Sequence, residues 1–203
     1  MNEKKFTVEL ITEMLGTVPK DPEVYKTYIE SKKPETLNGE DEYLTVEKIE
    51  QKGWTGFHSD DKGLFVYDYY IKGFFKHAGE VLARNEINIK GIKSKIDDYL
   101  FIFPRRIYLG SKKADGVFER PLRGMTRLGP RVSLAKSDSI AEGKTLSFSV
   151  ALLPHKELTW EVIDKLLEYG QLMGFGQFRN GGFGRFKVVE DGKDKKTKKS
   201  KGN

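Results

Sequence analysis

Cysteine is absent from this 203-residue chain, which excludes disulfides, thiolate metal sites and a cysteine nucleophile. Histidine is scarce. His58 falls in a polar loop, His77 on a predicted helix beside Lys76, and His155 just after a predicted strand. No second histidine, tyrosine–lysine set or acid recurs around them at a spacing that defines a catalytic site, so each is expected in an exposed or structural role. Asp60–Asp61 and Asp97–Asp98 are adjacent carboxylates, which point apart unless a turn gathers them, and no metal site is expected. Ser133, Ser137 and Ser139 lack the sharp strand–helix turn of a nucleophilic serine. No stretch reads as a secretory leader or a membrane span, so a cytosolic protein is expected. There is no solenoid-type repeat.

What the chain does have is basic charge, unevenly placed. The formal net charge is +6, yet residues 190–203 alone carry six lysines against three acids. From Gly192 onward that tail has no apolar residue. Residues 191–203 are therefore expected to be a disordered basic tail, and residues 1–190 a single mildly basic domain. Any nucleic-acid surface on the domain must be local.

The densest signal is Leu166 to Val188, where an apolar helix pattern runs into Gly174, Gly176, Gly181, Gly182 and Gly184. Glycines at this density permit positive φ and close backbone approach, which can aim N–H groups at one ligand. Gln177, Arg179, Asn180 and Arg185 lie among them and suit phosphate or base-edge contacts. A helix C-cap followed by a hairpin is the plainer reading of the same glycines. No Gly-Lys-Ser/Thr follows, so this is not a Walker loop. The glycines precede a strand, which is unlike a dinucleotide fingerprint.

Periodicity orders the remainder. Alternation predicts strands over 4–15, 99–109, 144–153 and 183–189, with Pro104 interrupting the second. Helical spacing predicts helices over 71–85 and 159–173, with a shorter one over 89–99 and Thr159 as an N-cap. A further helix-like segment runs from Pro22 to about Ile29. Residues 33–53 read as a connection or peripheral helix, and Trp54 to Gly63 as loop. The expected fold class is α+β: a ferredoxin-like (RRM-type) βαββαβ core with an antiparallel sheet and large insertions at about 16–63 and 110–143. Such a sheet leaves one face open to RNA, partners or inserted elements. The second insertion carries Arg120, Arg123, Arg127 and Arg131 among few acids. Lys72 and Lys76 share a helix edge away from the apolar stripe.

Four stretches, in this order, resemble the RAMP superfamily, the RNA-binding proteins of CRISPR systems. They are Ile71-Lys72-Gly73-Phe74-Phe75-Lys76, the basic hairpin from Glu119-Arg120-Pro121-Leu122-Arg123, the turn Ile140-Ala141-Glu142-Gly143-Lys144, and the loop Gly174-Phe175-Gly176-Gln177-Phe178-Arg179-Asn180-Gly181-Gly182-Phe183-Gly184-Arg185. The likeness covers most of residues 64–188, while residues 33–63 have no equivalent in it. In size the chain is closer to stand-alone RAMP-like proteins, including those of bacteriophages, which would act in a host cytoplasm.

The resemblance implies a non-catalytic protein that binds single-stranded nucleic acid, RNA favoured over DNA, without cofactor or metal. The implied contacts are Lys72, Lys76, Arg120, Arg123, Arg127, Arg131, Gly174, Gly176, Gln177, Arg179, Asn180, Gly182, Gly184 and Arg185. Implied partners extend to self-association along the strand or to a CRISPR-type or host protein complex. Two other classes stay open: a protein-interaction module, such as a phage-encoded decoy or inhibitor of a host defence complex, and a metal-independent endoribonuclease. Lys72 with His77 would serve the latter, although five residues of separation turn them to different faces of a helix.

Overall fold

The computed structural model describes residues 2–21, 53–126 and 129–189, with the side chains of residues 122–133 excepted. The helix expected from Pro22, the connection over 33–53, the tail over 191–203, and the side chains of Arg123, Arg127 and Arg131 therefore lie outside the described residues.

The chain is mixed α+β, rich in antiparallel sheet. One sheet has the order β12–β1–β11–β7, formed by β1 (Asn2–Leu10), β7 (Leu100–Phe103), β11 (Thr145–Leu152) and β12 (Phe186–Val189). Every neighbouring pair in it is antiparallel. Between β1 and β7 lie helices α1 (Asp68–Leu82) and α2 (Ile92–Tyr99), and between β11 and β12 lies α3 (Trp160–Met173). Alternation decides which face is buried. Phe6, Val8 and Leu10 of β1 and Leu146, Phe148 and Val150 of β11 share one core with Ile71, Phe74 and Phe75 of α1 and Ile163, Leu166 and Leu167 of α3. The opposite face of the two central strands carries Lys5, Thr7 and Glu9 beside Thr145, Ser147 and Ser149, and is largely open to solvent. A Thr7–Ser147 hydroxyl pair at 2.9 Å and a Lys187–Glu9 ion pair at 2.9 Å cross this polar face.

The two insertions build the rest. β9 (Gly116–Thr126) and β10 (Gly129–Ile140) form a long antiparallel ribbon. The root of β10 also pairs with β2 (Met14–Leu15) and with β4 (Thr55–Gly56), which pairs in turn with β3 (Val18–Pro19). A third sheet joins β5 (His58–Asp60), β6 (Gly63–Tyr67) and β8 (Arg106–Tyr108).

Several expectations are corrected by this arrangement. The strand expected over 4–15 is two strands in two sheets, because the backbone at Ile11–Glu13 turns away to bond the chain near Gly184 and Arg185. Residues 54–63, expected to be loop, supply β4, which pairs with the distant β10, and β5, which forms a tight hairpin with β6. The strand expected over 99–109 divides at a cis Phe103–Pro104 bond into β7 and β8, which belong to different sheets. The last strand begins at Phe186, since residues 179–181 form a 3₁₀ turn instead. Thr159 does precede α3, but its hydroxyl caps nothing.

Candidate nucleic-acid interface

The glycine loop is first of all a joint. Gly174, Gly176, Gly182 and Gly184 all have positive φ. At Gly184 a Cβ would fall inside the carbonyl of Phe175, so a side chain there would prevent the two arms of the loop from closing. At Gly176 a Cβ would sit 2.7 Å from the Leu15 carbonyl. The loop amides then bond inward. The N–H of Gly174 donates to Gly170, that of Phe175 to Gly184 at 2.7 Å, and that of Gly184 to Glu13 at 2.7 Å. The N–H of Gly182 donates to Arg179, and the backbone of Gly176 hydrogen-bonds the Tyr70 hydroxyl. Burial pushes that phenol well above the usual tyrosine range, so Tyr70 stays a neutral anchor.

This places the sequence-derived candidates differently. The amides of Gly174, Gly176, Gly182 and Gly184 are donors already spent within the protein, so they shape the loop and do not present N–H groups to a ligand. Gln177 is also turned inward. Its side-chain carbonyl accepts from the hydroxyls of Ser137 (2.8 Å) and Thr55 (3.1 Å), tying the loop to the ribbon root. Asn180 is exposed within the 3₁₀ turn.

The arginines face outward. Arg179 is half-buried, and its charge adds to the effect of burial in holding the His77 imidazole below its ordinary pKa. Arg185 is exposed, its Nε donating to the Leu172 carbonyl at 3.1 Å. From the ribbon, Arg120 lays its guanidinium 3.9 Å from the centroid of Phe178, the residue before Arg179. Among the described residues no carboxylate lies within ion-pairing distance of Arg120, Arg179 or Arg185. Several other basic side chains are compensated: Arg105 by Asp68, Arg106 by Asp60, Lys20 by Asp138, Lys136 by Glu119.

Lys72 and Lys76 are compensated too. Together with Tyr69, Gly73, His77, Glu80, Lys93 and Asp97 they line an open groove of about 440 Å³ along α1 and α2. Lys76 Nζ lies 2.6 Å from the Asp97 carboxylate, while Lys72 donates to the Asp97 backbone carbonyl at 2.8 Å and leans over the Phe101 ring. Lys72 and His77, expected on different faces, line this one groove, because helical positions 72, 73, 76 and 77 fan across a single broad side. Burial and the Arg179 charge lower the His77 pKa, against an opposing pull from Glu80, and favour the neutral ring.

No family model matches the sequence, and no curated protein matches it. Among the solved structures to which this chain is similar are the following two. One is a chain of the Type III-B Cmr-beta complex bound to cognate target RNA, at 10% identity and a TM-score of 0.49, covering 93% of this chain. This chain spans 58% of the length of that one. The other is a chain of a Type IV-B CRISPR complex, at 9% identity and a TM-score of 0.45, covering 98% of this chain and 96% of that one.

The other two histidines are structural. His155 Nδ1 accepts the amides of Glu157 and Leu158 at 3.0 and 3.1 Å, shaping the entry to α3. His58 stacks on Phe65, and burial lowers its pKa. Asp60 accepts from Arg106 and Tyr108, and Asp97 from the groove lysines. Among the described residues no group of His, Asp and Glu is placed to hold a metal, and no helix is long and apolar enough to cross a membrane. From the sequence Phe178 stands out only as one of three loop aromatics, with Phe175 and Phe183, that could stack on bases. Its αL backbone and its arginine partner from 58 residues away leave no local signal, beyond an aromatic standing between glycine pairs.

Proposed function

We propose that this protein binds single-stranded nucleic acid across the outer side of the glycine loop, with Arg120, Arg179 and Arg185 as its principal phosphate contacts. The carrying observation is that these three guanidinium groups, from the ribbon and the loop, have no carboxylate partner among the described residues, while Lys136 of the ribbon and Lys76 of the groove do. An uncompensated arginine cluster beside a groove is what a polyanion needs. The groove lysines, Lys72 and Lys76, extend the path once a phosphate displaces Asp97. Arg123, Arg127 and Arg131 of the ribbon are proposed as further contacts. The strand order β12–β1–β11–β7, with a helix in each crossover, supports reading the core as ferredoxin-like. With that core, the ordered motifs from Ile71 to Arg185 favour a RAMP-like protein and RNA over DNA. The strand is proposed to run on the loop side, where the uncompensated arginines lie, and not across the sheet, whose outer face is polar on β1 and β11 and carries exposed phenylalanines, Phe101 and Phe103, only on the edge strand β7.

Titrating labelled single-stranded RNA, single-stranded DNA and duplex over a range of salt tests this. Single strands should bind more tightly than duplex, RNA above DNA. Arg179→Ala with Arg185→Ala should flatten the plot of log affinity against log salt by about 1.4, or about 0.7 for each lost contact. An unchanged slope in a folded double variant would refute the assignment.

One observation favours a second reading, metal-independent RNA cleavage: a neutral imidazole at His77 shares a groove with Lys72 and Lys76. Cyclic-phosphate ends appearing in the same mixtures without metal, and lost with His77→Ala while affinity persists, would decide for it.

A further inference from the structure

Phosphate contacts alone leave one local arrangement unexplained. Phe178 stands at φ 55°, ψ 37°, a left-handed conformation that is strained for an aromatic residue. Its ring is nevertheless 36% exposed. The ring rests on Gly181, where a Cβ would lie 2.5 Å from the phenyl edge, and stacks near Phe183 and Phe118 at centroid distances of 5.6 and 6.4 Å. Over it stands Arg120, whose guanidinium carbon is 3.9 Å from the ring centroid. Joining the ribbon to the loop does not require this arrangement, because Phe118 against Phe183 (4.6 Å) and the Gln177 hydrogen bonds already make that joint. What it achieves is to hold a planar, half-exposed guanidinium, free of any carboxylate among the described residues, immediately beside Arg179.

We infer that the Arg120 guanidinium, held over the Phe178 ring, is a stacking platform for one unpaired nucleobase. The inference rests on the nucleic-acid reading above and adds base contact to it. A guanidinium plane backed by an aromatic ring stacks on a base through its free face, while its edge N–H groups remain able to reach a phosphate or a base acceptor. A duplex buries its base faces and cannot use such a platform. It therefore supplies a physical reason for single-strand preference that point charges lack.

The test compares two fluorescein-labelled strands of equal length with the full chain: oligouridylate, and a sugar–phosphate oligomer of abasic sites. The wild type should bind oligouridylate about 5- to 150-fold more tightly than the abasic strand. Arg120→Lys keeps the charge and removes the plane, so it should weaken oligouridylate binding far more than abasic-strand binding and abolish most of that ratio. Phe178→Leu, which keeps an apolar support without a ring, should reduce the ratio too. An unaltered ratio in both variants, with melting temperatures near wild type, would overturn the platform and leave the phosphate reading standing. So would equal wild-type affinity for the two strands. Failure of the wild type to bind either strand would instead overturn the nucleic-acid reading itself.

Discussion

A glycine's role depends on what a side chain would meet, and two positions in this chain give opposite answers. Gly184 closes the loop against Phe175, with positive φ and no room for a Cβ. Gly73 lies inside α1, where a Cβ would meet nothing within 4 Å. In a helix interior glycine costs about 0.5–1 kcal/mol relative to alanine. Gly184→Ala should therefore destabilise the protein by several kcal/mol or prevent folding, through overlap with backbone that cannot move aside. Gly73→Ala should raise stability by about 0.5–1 kcal/mol, read as a higher urea midpoint at constant m-value. Both glycines occur in motifs that look alike as text, so only the space around them distinguishes closure from access. If Gly73→Ala stabilises the fold yet weakens binding of a single strand, the bare helix backbone is part of the groove floor. A Gly184→Ala protein of normal stability would show that the joint has been misread.

At the scale of elements, the alternating and helical patterns placed β11, α1 and α3 to within a few residues, because each is organised by its own apolar periodicity, while the strands expected over 4–15 and 99–109 each ran two strands together. Elements that owe their existence to distant partners were not legible. β4 is two residues long and exists through pairing with the distant β10, whereas β5 belongs to a local hairpin with β6 and is, at three residues, too short to show an alternation. The site divides in the same way. Its arginines could be picked from composition, but the inward turn of the amides and of Gln177 depends on Tyr70, Glu13, Thr55 and Ser137, which lie up to 171 positions away. Loop and ribbon thus act as one element. Gln177→Ala would leave the Ser137 and Thr55 hydroxyls without their shared acceptor, at a cost of about 1–3 kcal/mol. Combining it with Ser137→Ala should cost less than the sum, since each change removes the same bond. Strict additivity in chemical denaturation would mean that the loop is held by its phenylalanines alone.

For the whole molecule, the useful quantity is where the positive charge is left uncompensated. The net charge of +6 says little by itself, because most cations of the described surface are paired with acids. Asp97 is the residue that sets the balance in the groove: it is 45% exposed and holds Lys76 directly at 2.6 Å, with the Lys72 ammonium 4.0 Å away. In the free protein this carboxylate occupies the place that a phosphate would take. Such exposed pairs contribute at most about 1 kcal/mol to stability, so Asp97→Asn should shift the melting temperature only slightly. Binding should respond far more. With the competing carboxylate gone, Lys76 is released and Lys72 keeps only its bond to the Asp97 backbone carbonyl. The variant should bind single strands more tightly, and its plot of log affinity against log salt should steepen by about 0.7 if one lysine takes a phosphate and about 1.4 if both do. Lys76→Ala in the same background should return the slope toward wild type. Tighter binding with no change of slope would mean that only the general potential had risen, and that the strand does not pass through the groove. Unchanged affinity would confine the interface to Arg120, Arg179 and Arg185.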